Sequence, residues 1–164
     1  MKTLYLIGGT MGVGKTAVGC RLKEVLFNSV FLDGDWCWDA NPFSITEETK
    51  KMVMRNITYL LNNFLECSVY ENIIFCWVMH EQSIINCIID NLNVDNCRVK
   101  IISLIASEIT LRKRLEFDVA NGLRTADVIN RSLTRASMYK ILDTVKINTD
   151  NKTIAEISDE IINL

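Results

Sequence analysis

Short apolar runs alternate with longer stretches of helical spacing from one end of the chain to the other. Residues 4–7 are a continuous apolar run of strand length, and after Gly8-Gly9 the pattern over residues 15–27 is helical. Val30-Phe31-Leu32 predicts a second strand, closed by Asp33-Gly34-Asp35. Thr46 with Glu47, Glu48 and Thr49 reads as a helix start with its acids in the first turn. Apolar residues at 53, 57, 60, 61, 64 and 65 carry that helix onward. Residues 73–79, rich in β-branched and aromatic side chains, predict a buried strand, 82–92 a helix and 99–106 another buried strand. Ser107 caps a charged helix running through Glu116, and a polar stretch over 117–125 precedes a helix over about 126–142. A short strand at 145–147 and an amphipathic helix over 153–164 complete the pattern.

Five short strands alternating with helices predict an α/β domain with a mostly parallel sheet. Continuous apolar strands, in place of alternating ones, suit a sheet covered on both faces. The chain shows no repeat, low-complexity tract or linker, so its 164 residues are expected to form one domain. Pro42 and the polar stretch near residue 120 mark loops within it.

Composition narrows the class of protein. A chain of this length buries about two-thirds of its unfolded surface and needs no covalent staples. The six cysteines, at 20, 37, 67, 76, 87 and 97, include no C-x-x-C pair, and His80 is the sole histidine. That excludes a zinc site of workable spacing, and thiols set in apolar runs fit a reducing, cytoplasmic setting. A net charge of −2 gives no reason to expect nucleic acid or an anionic membrane as partner. The first apolar run ends at Gly8, too soon for a signal-peptide core or a membrane span. Positive charge is uneven, with seven Lys/Arg residues between Arg112 and Lys140.

Chemistry enters with Gly9-Thr10-Met11-Gly12-Val13-Gly14-Lys15-Thr16, which satisfies G-x-x-x-x-G-K-[ST] at every fixed position. A triphosphate must be wrapped by backbone N–H groups, so the loop needs conformations open to glycine and no Cβ in the phosphates' path. Lys15 supplies a point charge for the β/γ-phosphates, Thr16 a hydroxyl ligand for Mg²⁺, and the following helix its positive end. A Gly-rich turn before an ordinary helix would seldom match all four fixed positions, and here the strand before and helix after are both present. ATP with Mg²⁺ is the ligand these residues imply.

Asp33-Gly34-Asp35-Trp36-Cys37-Trp38 follows the second strand, at the sheet edge where the loop also opens. Two acids flanking a Gly can point into one site, one holding Mg²⁺ and the other accepting a proton from an attacking hydroxyl. The bland alternative is an Asp-Gly turn bonded only to its own backbone. The phrase Phe31-Leu32-Asp33-Gly34-Asp35, roughly fifteen residues past Lys15, resembles small P-loop kinases such as gluconate kinase and adenylylsulfate kinase. More loosely, the chain is similar to shikimate kinase and chloramphenicol phosphotransferase. The resemblance implies a three-layer P-loop fold with a five-stranded parallel sheet of order 2-3-1-4-5 and a small lid, expected here at about 112–128. It also implies a base at Asp35, less readily Asp33, and Mg²⁺ near Thr16 and Asp33.

The same resemblance gives a role to the basic segment around Arg112-Lys113-Arg114: arginines of a lid that closes over the phosphates. Arg112 fits the first lid position best and Arg114 next, with Arg124, Arg131 and Arg135 as further candidates; a solvated helix face is the plain alternative. Arg55 is a candidate acceptor-binding cation, Trp36 and Trp38 candidate stacking surfaces, and His80 with Glu81 a candidate pair at the end of the third strand. That strand carries no Asp, and no N-K-x-D motif is present, which argues against a mechanical ATPase or a switch GTPase. The leading expectation is an ATP-dependent phosphotransferase acting on a small-molecule acceptor. A nucleoside or nucleoside monophosphate kinase and a regulatory nucleotide-binding protein with slow ATPase activity are the alternatives.

Overall fold

In the computed structural model, which describes residues 1–164, strand β1 (Lys2–Gly9) lies at the centre of a parallel five-stranded sheet. The others are β2 (Ser29–Asp33), β3 (Asn72–Trp77), β4 (Cys97–Ile105) and β5 (Val145–Asn148), in the order β2-β3-β1-β4-β5. Helices connect them: α1 (Lys15–Val25), α2 (Glu47–Glu66), α3 (Gln82–Asp90), α4 (Glu108–Ala120), α5 (Asp127–Ala136) and α6 (Ile154–Ile162). The expected sheet order and layering are therefore observed. No helix is long and apolar enough to cross a membrane.

Both faces of the sheet are covered, which is why its strands are apolar without alternation. Leu4, Leu6, Ile73 and Phe75 pack with Val53, Ile57 and Leu61 of α2 and Ile85 and Ile88 of α3. Their neighbours Tyr5, Ile7, Ile74 and Cys76 point the other way, onto Val18 and Leu22 of α1 and Ile157 and Ile161 of α6. One strand thus feeds two cores through its period of two. Register brings the carboxyl ends together: Gly8 pairs with Trp77 and with Ser103, and Asp33 with Cys76. The loop after β1 and the acidic turn after β2 consequently open on one edge.

Three of the boundaries that differ from the sequence pattern bear on packing or on the site. Helix α4 continues a turn beyond Glu116 to Ala120, because its last turn, Phe117 to Ala120, stands largely in solvent yet keeps the helical ladder, as in Asn121 N–H to the Phe117 carbonyl at 3.1 Å. Gly122, at φ +69°, ends it. Helix α5 stops at Ala136 and tightens into a 3₁₀ turn over Ser137–Lys140, which drives the Tyr139 ring into the core. Its hydroxyl donates to the Val78 carbonyl at 2.8 Å. Strand β3 ends at Trp77, so Val78 and Met79 belong to the turn that follows.

Helix α6 carries a reciprocal cap: Thr153 Oγ accepts from Glu156 N–H, and the Glu156 carboxylate accepts from Thr153 N–H. Those bonds hold the Glu156 carboxyl below its usual pKa. A carboxylate with a depressed folded pKa contributes stability above its unfolded value and loses it as pH falls through the folded one. The melting-temperature gap between wild type and Glu156→Ala should therefore be open at neutral pH and close on acidification below about pH 4. A gap independent of pH would refute this role for the ionised cap.

Candidate active site

The loop begins where β1 ends and closes where Gly14 caps α1. Gly12 and Gly14 take φ values of +81° and +106°, conformations that side-chain-bearing residues rarely adopt. A Cβ on Gly12 would also stand 2.7 Å from the Leu115 side chain, so α4 packs against bare backbone there. At Gly14 a Cβ would meet nothing within 4 Å, since that side of the loop faces a cavity. Helix α1 has neither a side-chain cap nor an acid in its first turn, which leaves its leading N–H groups free for an anion.

Lys15 sits in the mouth of the loop, its ammonium donating to the Thr10 carbonyl at 3.1 Å. Burial pulls its pKa below the ordinary lysine value, against the opposing charges of Asp35 and Asp33. Next to it, Thr16 Oγ donates to Asp33 Oδ2 at 2.7 Å. Asp33 is buried, and its other oxygen accepts the backbone N–H of Asp35 at 3.0 Å. One hydrogen bond, from Thr16 to Asp33, thus ties the turn to the loop, and Asp35, bonded through its N–H to Asp33, lies exposed within the field of Lys15. Burial, and then the charge of Asp33, raise the pKa of Asp35, while Lys15 and the neighbouring Trp77 indole act the other way. Trp77 lies directly on Gly34, where a Cβ would stand 2.4 Å from Trp77 Cγ.

A cavity of about 790 Å³ opens beside the loop. Lys15, Lys113, Arg114, Arg124 and Lys152 line it, with Asp118 the one acid. Five cations around bare loop backbone suit a polyphosphate, and the volume is in the range of small-molecule and cofactor sites. Arg114 reaches the loop, donating to the Val13 carbonyl at 3.2 Å and to the carbonyl of Thr149 at 3.1 Å. Arg124, carried on the segment between α4 and α5, pairs with Asp118 at 3.1 Å and lies close enough to act on the charges of Lys15 and Asp35.

Arg112, the first-ranked lid candidate, is placed apart from the others. It lies outside the cavity, paired with Glu108 at 3.1 Å on the exposed face of α4. The buried pair Leu111 and Leu115 sets the inward face of that helix. At 3.6 residues per turn, Arg112 and Arg114 stand about 80° to either side of it. Helical spacing cannot choose between such flanks; the docking of α4 against Gly12 does. Arg131 is likewise engaged on the surface, with Asp127 at 3.0 Å.

Acceptor-side candidates are less gathered. Arg55 is exposed on α2 and makes no ion pair, although the next residue, Asn56, bonds the Cys37 carbonyl at 3.1 Å. His80, half-buried beyond β3, contacts the Val78 carbonyl at 3.0 Å and Glu81 at 3.6 Å, a local arrangement. Trp36 is 62% exposed beside the acidic turn, edge-on to Phe31, while Trp38 packs with Phe43. Sequence reading missed Trp77, Lys113, Asp118, Asn151 and Lys152. For Asn151 and Lys152 a signal existed, since they follow β5 at the same carboxyl edge as the loop.

The donor set fits Mg²⁺. A hydroxyl and a carboxylate, both hard oxygen donors, already converge at Thr16 and Asp33. No group of three or more His, Cys, Asp or Glu side chains gathers to hold a metal, here or elsewhere. Mg²⁺ keeps several waters and takes phosphate oxygens, so it needs only such a pair.

Several solved structures share this architecture. A tunicamycin resistance protein from Deinococcus radiodurans superposes with a TM-score of 0.74 at 18% identity, over 99% of this chain and 95% of its own. A gluconokinase from Sinorhizobium meliloti gives 0.72 at 16% identity, over 98% and 90%. A shikimate kinase from Acinetobacter baumannii, in complex with shikimate, gives 0.64 at 18% identity, over 99% and 92%. At these identities the likeness is one of fold. A search of curated protein sequences finds no match. The family described as AAA domain matches residues 6–127, from β1 to the start of α5, and the chain belongs to that family of P-loop proteins.

Proposed function

We propose that the protein is an ATP-dependent phosphotransferase that moves the γ-phosphate of ATP onto a hydroxyl of a small molecule. The observation that carries the reading is the junction of Thr16, Asp33 and Asp35 beside Lys15, with the acidic turn hydrogen-bonded to the loop. A protein that only held nucleotide would have no use for a second acid, exposed toward the loop mouth, at that junction. The names of the structural neighbours, a gluconokinase and a shikimate kinase among them, point the same way.

In this reading the loop's N–H groups and Lys15 hold the β- and γ-phosphates, and Arg114 and Arg124 cover them. Thr16 and Asp33 would hold Mg²⁺, which neutralises charge on the phosphate oxygens. Asp35 orients the acceptor hydroxyl and takes its proton as the oxygen bonds to the γ-phosphorus. The bond from that phosphorus to the bridging oxygen breaks, and ADP leaves. Trp36, exposed at the rim, is placed to stack on the acceptor.

The test is ATP turnover, with Mg²⁺, across a panel of sugars, polyols, hydroxy acids, hydroxylated antibiotics and nucleotides. One acceptor class should raise turnover at least about 100-fold over hydrolysis, the scale of correct positioning plus one proton transfer. Activation by nucleoside monophosphates alone would move the assignment to nucleotide kinases. Slow hydrolysis indifferent to every acceptor would sink the kinase reading in favour of a regulatory ATPase.

A further inference from the structure

Three hydrogen bonds tie the phosphate-binding loop to helices α4 and α5, which flank the expected lid segment. On the α4 side, Arg114 donates to the Val13 carbonyl at 3.2 Å. On the α5 side, Thr10 Oγ donates to the Ser132 carbonyl at 2.9 Å, and Ser132 Oγ donates to the Met11 carbonyl at 2.6 Å. The two hydroxyl oxygens lie 3.0 Å apart. Each hydroxyl has one proton, and each proton goes to a carbonyl of the opposite segment, so the pair is closed. Thr10 is 3% exposed and Ser132 0%, which leaves no water to take over a broken bond.

Thr10 also faces the ligand. Its carbonyl accepts the Lys15 ammonium at 3.1 Å. Helix α5 therefore reaches Lys15 through two consecutive partners, Ser132 to Thr10 and Thr10 to Lys15. Nucleotide phosphates compete for that ammonium, so occupancy of the loop and the hold on α5 meet at one residue. From Ser132 the helix leads back to Asp127 and the segment carrying Arg124.

We propose that the Thr10–Ser132 hydroxyl pair transmits nucleotide occupancy of the loop to α5 and the lid, with Ser132 acting as a positioning residue. This rests on the nucleotide-binding half of the reading above and is independent of phosphate transfer. The coupling element is a pair of discrete, water-excluded bonds, which either hold or break.

Hydrogen–deuterium exchange on the full chain tests it, with Mg²⁺ and a non-hydrolysable ATP analogue at a concentration that saturates each protein. In wild type and in Thr10→Ser, the analogue should slow exchange about tenfold both in the loop and in helix α5. In Thr10→Val, which keeps the shape and removes the hydroxyl, and in Ser132→Ala, the loop should still respond. The α5 response in those variants should fall to less than about a third of the wild-type value. A purely structural role would raise basal exchange and leave that response intact, and this result overturns the proposal. Equal α5 responses in wild type and Thr10→Val overturn it too. Absence of any loop response in wild type would remove nucleotide binding itself, a separate and visible failure. If Ser132→Ala does not fold, Thr10→Val decides alone.

Discussion

Replacing Lys15 with Met should lower ATP turnover by at least about 10³-fold, the loss expected when a preorganised cation is withdrawn from a developing charge. The ammonium is partly buried in the mouth of the loop, with the Thr10 carbonyl as its partner and the charges of Asp33 and Asp35 nearby. No other cation of the cavity stands inside the loop, so Arg114 and Lys113 cannot replace it from α4. Binding of ATP, measured by calorimetry, should weaken alongside turnover, because the charge acts on bound phosphates as well as on the transition state. Circular dichroism should remain that of wild type, since methionine fills the same stem space without a charge to bury. A Lys15→Met protein that kept turnover within a few-fold of wild type would mean that phosphates are not held at this loop.

Asp35→Asn carries the second large effect. Acceptor-dependent turnover should fall by about 10² to 10⁴, the usual contribution of a positioned base, while acceptor-independent hydrolysis and the affinity for ATP change little. The split matters: loss of both activities together would indicate that Asp35 supports the loop instead of the acceptor. Burial first, and then the adjacent Asp33, raise the pKa of Asp35 above the usual aspartate value. A base works ionised, so acceptor turnover should decline as pH falls through that raised value. The residual turnover of Asp35→Asn should lack this acidic limb, and a limb unchanged by the substitution would assign it to another group.

Lys15 and Asp35 stand out in the sequence because both sit in short motifs whose chemistry is local. A glycine-rich loop ending in Lys-Thr implies its ligand through backbone geometry alone, and Asp33-Gly34-Asp35 gains meaning from standing at the end of a strand. The fold was readable for a related reason. Apolar runs of strand length need cover on both faces, and the alternation with helices provides it, as the division between Leu4 with Leu6 and Tyr5 with Ile7 shows. Boundaries were less visible where polarity and structure part company, as in the solvent-facing last turn of α4.

What the sequence by itself determined is the phosphate-binding loop, the acidic turn, the sequence of strands and helices and the two-sided burial of the sheet. All of these depend on residues near one another along the chain or on a simple period. Tertiary structure alone decided which distant groups meet. It bonded Thr16 to Asp33 and laid Trp77 over Gly34. It turned Arg114 to the loop and Arg112 to Glu108, although the two flank the buried face of α4 symmetrically. It also paired Thr10 with Ser132 across 122 positions. Neither hydroxyl belongs to a pattern that propensity or spacing can detect. Their partnership exists only because α5 docks against the loop, where burial leaves each polar group no partner but the other segment.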